Sequence, residues 1–218
     1  MAVNDNWMGE CTVKNEHISE AVIRRLPKYL RQLRDLKLRG IERISSGELS
    51  KEMGINASQI RQDLNCFGGF GQQGYGYQVD VLLNEVANIL GIVNVYQTII
   101  VGVGNIGAAL LQYTGFKKDG FEIVAAFDND PKLVGSTIAG KEIYDIKGVE
   151  AFIQENGIDV AIIATPRAYA QKICDLAVKG GVKGIWNFAP IDVNANCHVE
   201  NVHLSDGLRV LSYRLTNG

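Results

Sequence analysis

The chain is poor in the residues from which metal centres and disulfide frameworks are built. Its 218 residues include four cysteines and three histidines. Cys11, Cys66, Cys174 and Cys197 are widely separated and no CxxC pair occurs, so a zinc site is not expected, and isolated cysteines fit reduced thiols in a cytoplasm. No uncharged apolar run of about 18 residues exists to make a membrane-spanning helix. The opening stretch "MAVNDNWMGECTVKNE" lacks a basic start followed by an apolar core and does not read as a secretory signal. Its mixed polarity predicts a flexible tail over residues 1–17.

What is present is an ordinary globular composition, 46% hydrophobic and 21% charged, long enough for one large domain or two modest ones. The net charge of −2 conceals an asymmetry. Residues 18–77 hold ten Lys and Arg against six Asp and Glu, whereas residues 78–218 hold 11 against 15. A basic first third points to an anionic partner such as nucleic acid, although a charge excess is also what a solvated face looks like.

In that first third, Leu26, Leu30 and Leu33 recur at helical spacing, Pro27 marks a first turn or a kink, and Gly40 is a natural stop. Ser45 and Glu48 have the S-x-x-E spacing of a capping box, which predicts a helix to about Met53 ending at Gly54. Asn56 with Gln59 repeats the pattern for a second, short helix. Helix, glycine turn and helix form the helix-turn-helix pattern. The second helix carries Ser58, Gln59, Arg61 and Gln62 near its start and keeps Ile60 and Leu64 for the core, as a major-groove reader requires. "FGGFGQQGYGY" (67–77) has too many glycines for a helix and predicts two short extended arms turning near Gly71–Gly74, a wing beside the reading helix. The candidate DNA-facing residues are Ser46, Ser58, Gln59, Arg61, Gln62, Gln72, Gln73 and Tyr75.

After a linking helix (79–91), Thr98–Val103 reads as a strand buried on both faces. The turn Gly102-x-Gly104-x-x-Gly107 opens a helix whose N-terminal amides would hold a pyrophosphate, with Val103, Asn105 and Ile106 in the same turn. A second strand ends at Asp128, 21 residues beyond Gly107, where a carboxylate binds ribose hydroxyls and repels a 2′-phosphate. No Arg follows nearby, so NAD⁺/NADH is favoured over its phosphorylated form. Thr165, Pro166, Asn187 and Phe188 fall at the carboxyl ends of later strands, where open α/β sheets bind ligands. The last segment, "HLSDGLRVLSYRL", carries Leu204, Leu208, Leu211 and Leu215 on one stripe, with Val210 and Tyr213 on another. A helix apolar on several sides needs more than its own domain to cover it, which predicts a homodimer formed by exchange of this helix.

A nicotinamide dehydrogenase would need an acid/base group and a substrate domain. No length remains for the domain, and His198 and His203 are the only late imidazoles, so the nucleotide reads as a ligand rather than a reactant. Two alternatives stay open: a small NAD-dependent oxidoreductase with a docking module, and a CoA- or nucleotide-binding regulatory subunit.

From about Ile18 onward the chain resembles the Rex family of bacterial redox-sensing repressors. The segments that carry the likeness are "RRLPKYLRQL", "ISSGELSKEMGINASQIRQDL", "FGGFGQQGYGYQV", "VGVGNIGAALLQY", "NFAP" and "LRVLSY". The resemblance implies an α/β chain in four parts: the tail, a winged helix-turn-helix domain (18–80), a Rossmann-like doubly wound domain (81–202) and an exchanged C-terminal helix (203–218). It implies a homodimer that holds palindromic operator DNA when apo or NAD⁺-bound, releases it on binding NADH, and controls fermentation and respiration genes from the cytoplasm. It assigns Tyr113 to a tyrosine at the dimer hinge that reports the nicotinamide state. It assigns Arg25 to an arginine that pairs with a carboxylate of the partner's terminal helix. Three positions depart from the family. His203 stands where that carboxylate is usual, with Asp206 one turn on as a substitute. Gln62 replaces a lysine, and Gln can pair bidentately with adenine. Gln72 and Gln73 stand at a wing tip that is often basic.

Overall fold

A computed structural model describes residues 18–67 and 75–218, and the chain divides into two compact units, Met1–Val93 and Asn94–Gly218. The first unit runs α1 (Glu20–Ile23), α2 (Leu26–Leu38), β1 (Arg43–Ile44), α3 (Ser46–Met53), α4 (Ala57–Asn65), β2 (Tyr77–Gln78) and α5 (Val79–Ile89). Pro27 sits in the first turn of α2, where its missing N–H costs no bond. The Ser45–Glu48 capping box forms in full, and Gly54 ends α3 in the left-handed region. Asn56 caps α4 through the Ser58 amide.

The core of this unit joins Leu26, Tyr29, Leu33 and Leu36 of α2 to Leu49, Ile60 and Leu64 of the helix pair, and to Val79, Leu82 and Val86 of α5. The last three lie on one helical stripe against α2, so α5 belongs to the first unit. The boundary expected after residue 80 falls after Val93 instead. The wing expectation changes too. The strand at Tyr77–Gln78 pairs antiparallel with Arg43–Ile44, ahead of the helix pair, while Phe67 lies in the turn that ends α4. Gly76 makes this pairing possible: its φ is +69°, and a Cβ there would lie 2.6 Å from the Ile44 carbonyl oxygen. The expected arm tip with Gln72 and Gln73 lies outside the described residues, as does the expected tail.

The second unit continues with β3 (Tyr96–Val101), α6 (Asn105–Gln112), α7 (Gly115–Lys118), β4 (Phe121–Asp128), β5 (Thr137–Ile138), β6 (Lys141–Asp145), α8 (Val149–Asn156), β7 (Val160–Ile163), α9 (Arg167–Gly180), β8 (Gly184–Asn187), β9 (His198–Asn201) and α10 (Asp206–Asn217). Its seven strands lie in the order β5-β6-β4-β3-β7-β8-β9, parallel except for the β5–β6 edge hairpin. Ile99 and Val101 face one core with Phe127, Ile153, Ile173 and Ala177; Ile100 faces the other with Ala126, Ile162 and Leu111. A strand covered on both faces reads as the continuous apolar run seen in the sequence. It ends at Val101 rather than Val103 because Gly102, at φ +95°, turns the chain out of the sheet. The short elements β5, β6 and β9 are not announced by the sequence: each mixes polar and apolar residues over two to five positions.

No residue of α10 is buried within the chain. Among the described residues no helix is long and apolar enough to cross a membrane, and no cluster of His, Cys, Asp or Glu could hold a metal ion.

Candidate functional site

Strand β3 has β4 on one side and β7 on the other. The connection leaving β3 runs to β4 and the one leaving β7 runs the opposite way to β8, and the reversal opens a crevice at the carboxyl ends of β3 and β7 where open α/β sheets take ligands. A cavity of ≈ 1000 Å³ opens there. Its wall holds Gly102, Gly104, Asn105 and Ile106 from the turn, Asp128 from the end of β4, and Thr165 and Pro166 from beyond β7.

The three glycines do different work. At Gly102 a Cβ would lie 2.6 Å from the Ala164 carbonyl oxygen, and at Gly107 it would collide with the carbonyl oxygen of Gly102. Both are therefore required by packing of turn against strand and helix. Gly104 caps α6 and, chain neighbours aside, has nothing among the described residues within 4 Å of its Cβ position, so its space is kept on the ligand side. The N-terminal amides of α6 face that space and favour an anion. Thr165 Oγ1 is buried and without a hydrogen-bond partner among the described residues, a hydroxyl suited to a ligand's polar group.

Asp128 is held in place by backbone donors. Oδ2 accepts from the Val103 amide at 2.6 Å, and Oδ1 accepts from Asn129 and Asp130 at 2.7 and 2.9 Å. A carboxylate has about four acceptor sites, so capacity remains for a ribose hydroxyl. These features together fit a dinucleotide: amides for its pyrophosphate, a carboxylate for its ribose, and apolar walls for its rings.

Several expected residues lie elsewhere. Val103 is buried and contributes its amide to Asp128, and Gly107 contributes packing. Asn187 is fully buried and spent. Its amide nitrogen donates to the Ile191 carbonyl and to Asn201 Oδ1, and its oxygen accepts from the Ala189 amide. Phe188 stacks edge-on to Trp186 at 4.6 Å, outside the cavity wall. Tyr113 is exposed, ends α6, and leans on Phe116 and Gly115, again outside the wall. In exchange, Leu133, Ile146, Lys147, Tyr169 and Lys172 join the wall without having been foreseen. Ile146 and Lys147 follow the carboxyl end of β6, a strand that the sequence does not announce, and Tyr169 and Lys172 lie in the first turns of α9.

In the first unit, the start of α4 is held from two directions. Arg61 donates to Ser46 Oγ at 2.9 Å and to Ser58 Oγ at 3.0 Å, which ties the first turns of α3 and α4 to one guanidinium. Gln62 is exposed, as is Tyr75. Gln59 does not close a second capping box. Its side chain turns inward and donates to Asp63 Oδ1 at 2.8 Å.

Asp63 is the residue that sequence reasoning missed. It is fully buried, and both its oxygens are engaged. Arg25 donates to both through Nε and Nη2 at 2.6 and 2.7 Å, and the Tyr29 hydroxyl donates to Oδ2 at 2.8 Å. Burial pushes the carboxyl up, but the hydrogen bonds from Arg25, Gln59 and Tyr29 outweigh it and hold the group below the usual carboxylate range. Arg25, expected to reach for a partner's carboxylate, is thus paired within its own unit. His203 lies 2.7 Å from Asp192 Oδ1, and Asp206 is taken by Arg209 at 2.6 Å. Of the three cysteines in the described residues, Cys174 is buried with its thiol pushed up to about 11 by desolvation, which makes it a poor nucleophile.

Two family models match the chain: "Putative DNA-binding protein N-terminus" over residues 17–65 and "CoA binding domain" over residues 93–191. The redox-sensing transcriptional repressor Rex of Clostridium acetobutylicum is 55% identical over 201 residues, covering 91% of this chain and 94% of the relative. Its counterpart in Clostridium kluyveri is 54% identical, covering 94% and 98%. Among solved structures, RSP in complex with NAD⁺ and operator DNA superposes with a TM-score of 0.88 at 51% identity, covering 93% of this chain and 94% of that one. RSP in complex with NADH superposes at 0.86 and 48% identity, covering 93% and 96%.

Proposed function

The chain belongs to the Rex family of redox-sensing transcriptional repressors, and from that premise we propose that it holds palindromic operator DNA in its apo or NAD⁺-bound form and releases it when NADH binds. The likeness to RSP bound at once to NAD⁺ and operator DNA, extending over nearly the whole chain, carries this reading most directly. The polar start of α4 supplies the groove-reading face, and the cradle of Gly104, Thr165 and Asp128 supplies the ligand site. Asp128 sets the preference for NADH over NADPH, because its carboxylate would meet a 2′-phosphate. The nucleotide is a ligand that is not consumed. The regulated genes are those of fermentation and respiration, and the place of work is the cytoplasm.

The switch is a matter of populations. NADH shifts the protein only by as much as it prefers the form that cannot bind DNA. A hundredfold change in operator affinity corresponds to about 2.7 kcal/mol of coupling between the two sites. The reduced nicotinamide is uncharged, so an apolar wall takes it with less desolvation cost than the cationic ring of NAD⁺.

Fluorescence anisotropy on a labelled palindromic duplex, titrated with NADH over a background of NAD⁺, tests the reading. Release by NADH but not by NAD⁺, NADPH or CoA is the expected result. Release by CoA alone would return the chain to the regulatory-subunit alternative. Turnover of NADH with small carbonyls would return it to the oxidoreductase.

The dimer follows from α10. Leu208, Leu211 and Leu215 on one stripe and Val210 and Tyr213 on another are all at least half exposed on a terminal helix, too much apolar surface to stand in water. A second copy that exchanges this helix covers it. The double variant Leu208→Glu/Leu211→Glu is expected to sediment as a monomer and to lose operator binding by about a hundredfold or more, since each half-site then binds alone. An intact dimer in this variant would remove α10 from the interface.

A further inference from the structure

Resting on the NADH-binding reading above, and deepening it at one residue, we propose that Lys147 is the second ribose contact of the nucleotide site. Its ammonium donates to one of the two adenosine ribose hydroxyls while Asp128 accepts from the other.

The need for a second group follows from Asp128 itself. Each carboxylate oxygen has about two acceptor sites. Oδ1 gives both to the Asn129 and Asp130 amides, and Oδ2 gives one to the Val103 amide. One site is left. A ribose presents two adjacent hydroxyls, and the one that Asp128 cannot serve needs a partner of its own once the nucleotide displaces water from the wall.

The sheet register puts a cation beside that site. Strands β4 and β6 run parallel, with Ala126 opposite Ile143, Phe127 opposite Tyr144 and Asp128 opposite Asp145. Ala126 and Ile143 both face the core that Leu111 of α6 covers. Side chains alternate along a strand, so Asp128 and Asp145, each two residues further on, project to that same face, roughly 5 Å apart across the pair. The chain then turns. Asp145 Oδ1 accepts from the Lys147 amide at 2.9 Å, and Lys147 Nζ folds back to 3.7 Å from Asp145 Oδ2. That return brings the ammonium to the side of the sheet that carries Asp128, and both residues line the cavity. The pair with Asp145 is longer than a hydrogen bond and the Lys147 side chain is 88% exposed, so its N–H donors can turn to a ligand.

Asp130 is the rival for the second hydroxyl, as another carboxylate of the wall. It lies beyond the strand, in a turn where its Oδ1 accepts from the Lys132 amide. Two carboxylates closing on one diol repel each other, whereas an ammonium beside Asp128 is attracted to it.

The test pairs variants with ligands. Nicotinamide fluorescence gives the affinities of NADH and of its 2′-deoxy and 3′-deoxy adenosine analogues for wild type, Lys147→Met and Asp130→Asn. Wild type is expected to lose about three- to tenfold on each analogue, since each removes one ribose contact. Lys147→Met keeps the reach of the side chain without its donors and changes only an exposed position. It should bind NADH less well than wild type, bind one of the two analogues as well as it binds NADH, and still lose its factor on the other, whose hydroxyl stays with Asp128. If Lys147→Met discriminates against both analogues as wild type does, Lys147 supplies only a general attraction for the pyrophosphate and the inference falls. It falls equally if wild type is indifferent to either analogue, or if Asp130→Asn is the variant that stops discriminating. A wild-type protein that binds no NADH at all would overturn the nucleotide reading itself.

Discussion

Replacing Asp63 with alanine will lower the stability of the first unit by about 3–5 kcal/mol, the usual cost of removing one partner of a buried ion pair. The loss is large because nothing else can take its place. Arg25, with its side chain only 26% exposed, keeps its charge and is left facing apolar surroundings, and the buried Tyr29 hydroxyl loses its acceptor. Exposed pairs such as Arg24–Glu20 and Lys117–Glu122 contribute far less, because water screens both charges and already solvates them in the unfolded chain. Urea unfolding followed by tyrosine fluorescence measures the difference; a loss below about 1 kcal/mol would mean that Arg25 finds water as readily as it found Asp63. The pH dependence has a fixed sign. The Asp63 carboxyl is held below its unfolded value, so its contribution is complete above the unfolded pKa of about 3.9 and disappears as pH falls through the lower folded value. Arg25 is raised and stays cationic throughout. Wild-type protein should therefore lose stability more steeply than Asp63→Ala below about pH 4.

That carboxylate also shows what could be read from the chain and what could not. Local rules were legible: the Ser45–Glu48 box, the glycine stop at Gly54, the buried run at Thr98–Val101 and the three-glycine turn all depend on residues within one turn of each other. The partner of Asp63 lies 38 residues away at Arg25, and no spacing rule joins them. Gln59 stands at the capping-box spacing from Asn56, while its partner in the fold, Asp63, sits four residues on. Asn187 occupies the right end of the right strand, yet Asn201 from the adjacent strand β9 consumes its amide, and that strand was invisible. The cavity wall divides the same way. Its floor follows from the turn, whereas Lys147 and Tyr169 come from segments whose approach only the sheet order decides.

The three glycines of the turn will respond to the same substitution in opposite ways. Gly107→Ala should destabilise the second unit by roughly 3 kcal/mol, because its Cβ would strike the backbone carbonyl of Gly102, and a backbone atom cannot swing aside as a side chain can. Gly102→Ala adds to a similar collision the cost of a φ of +95°. Gly104→Ala should leave the unfolding temperature unchanged. Its φ of −69° and ψ of −165° suit alanine, and among the described residues, chain neighbours aside, no atom lies within 4 Å of the added methyl. What that methyl meets is the ligand. Holding a pyrophosphate off the α6 amides forfeits charge-assisted hydrogen bonds of about 1.5–3 kcal/mol, a loss of roughly ten- to a hundredfold in NADH affinity. Thermal unfolding with and without NADH separates the two effects, since a ligand raises the transition of any protein that still binds it. Wild type should start high and rise, Gly107→Ala should start low and still rise, and Gly104→Ala should start high and stay there. A Gly104→Ala protein that NADH stabilises as much as wild type would place the pyrophosphate away from the head of α6, and the cradle would have to be sought along the rest of the wall, toward Lys147 and Lys172.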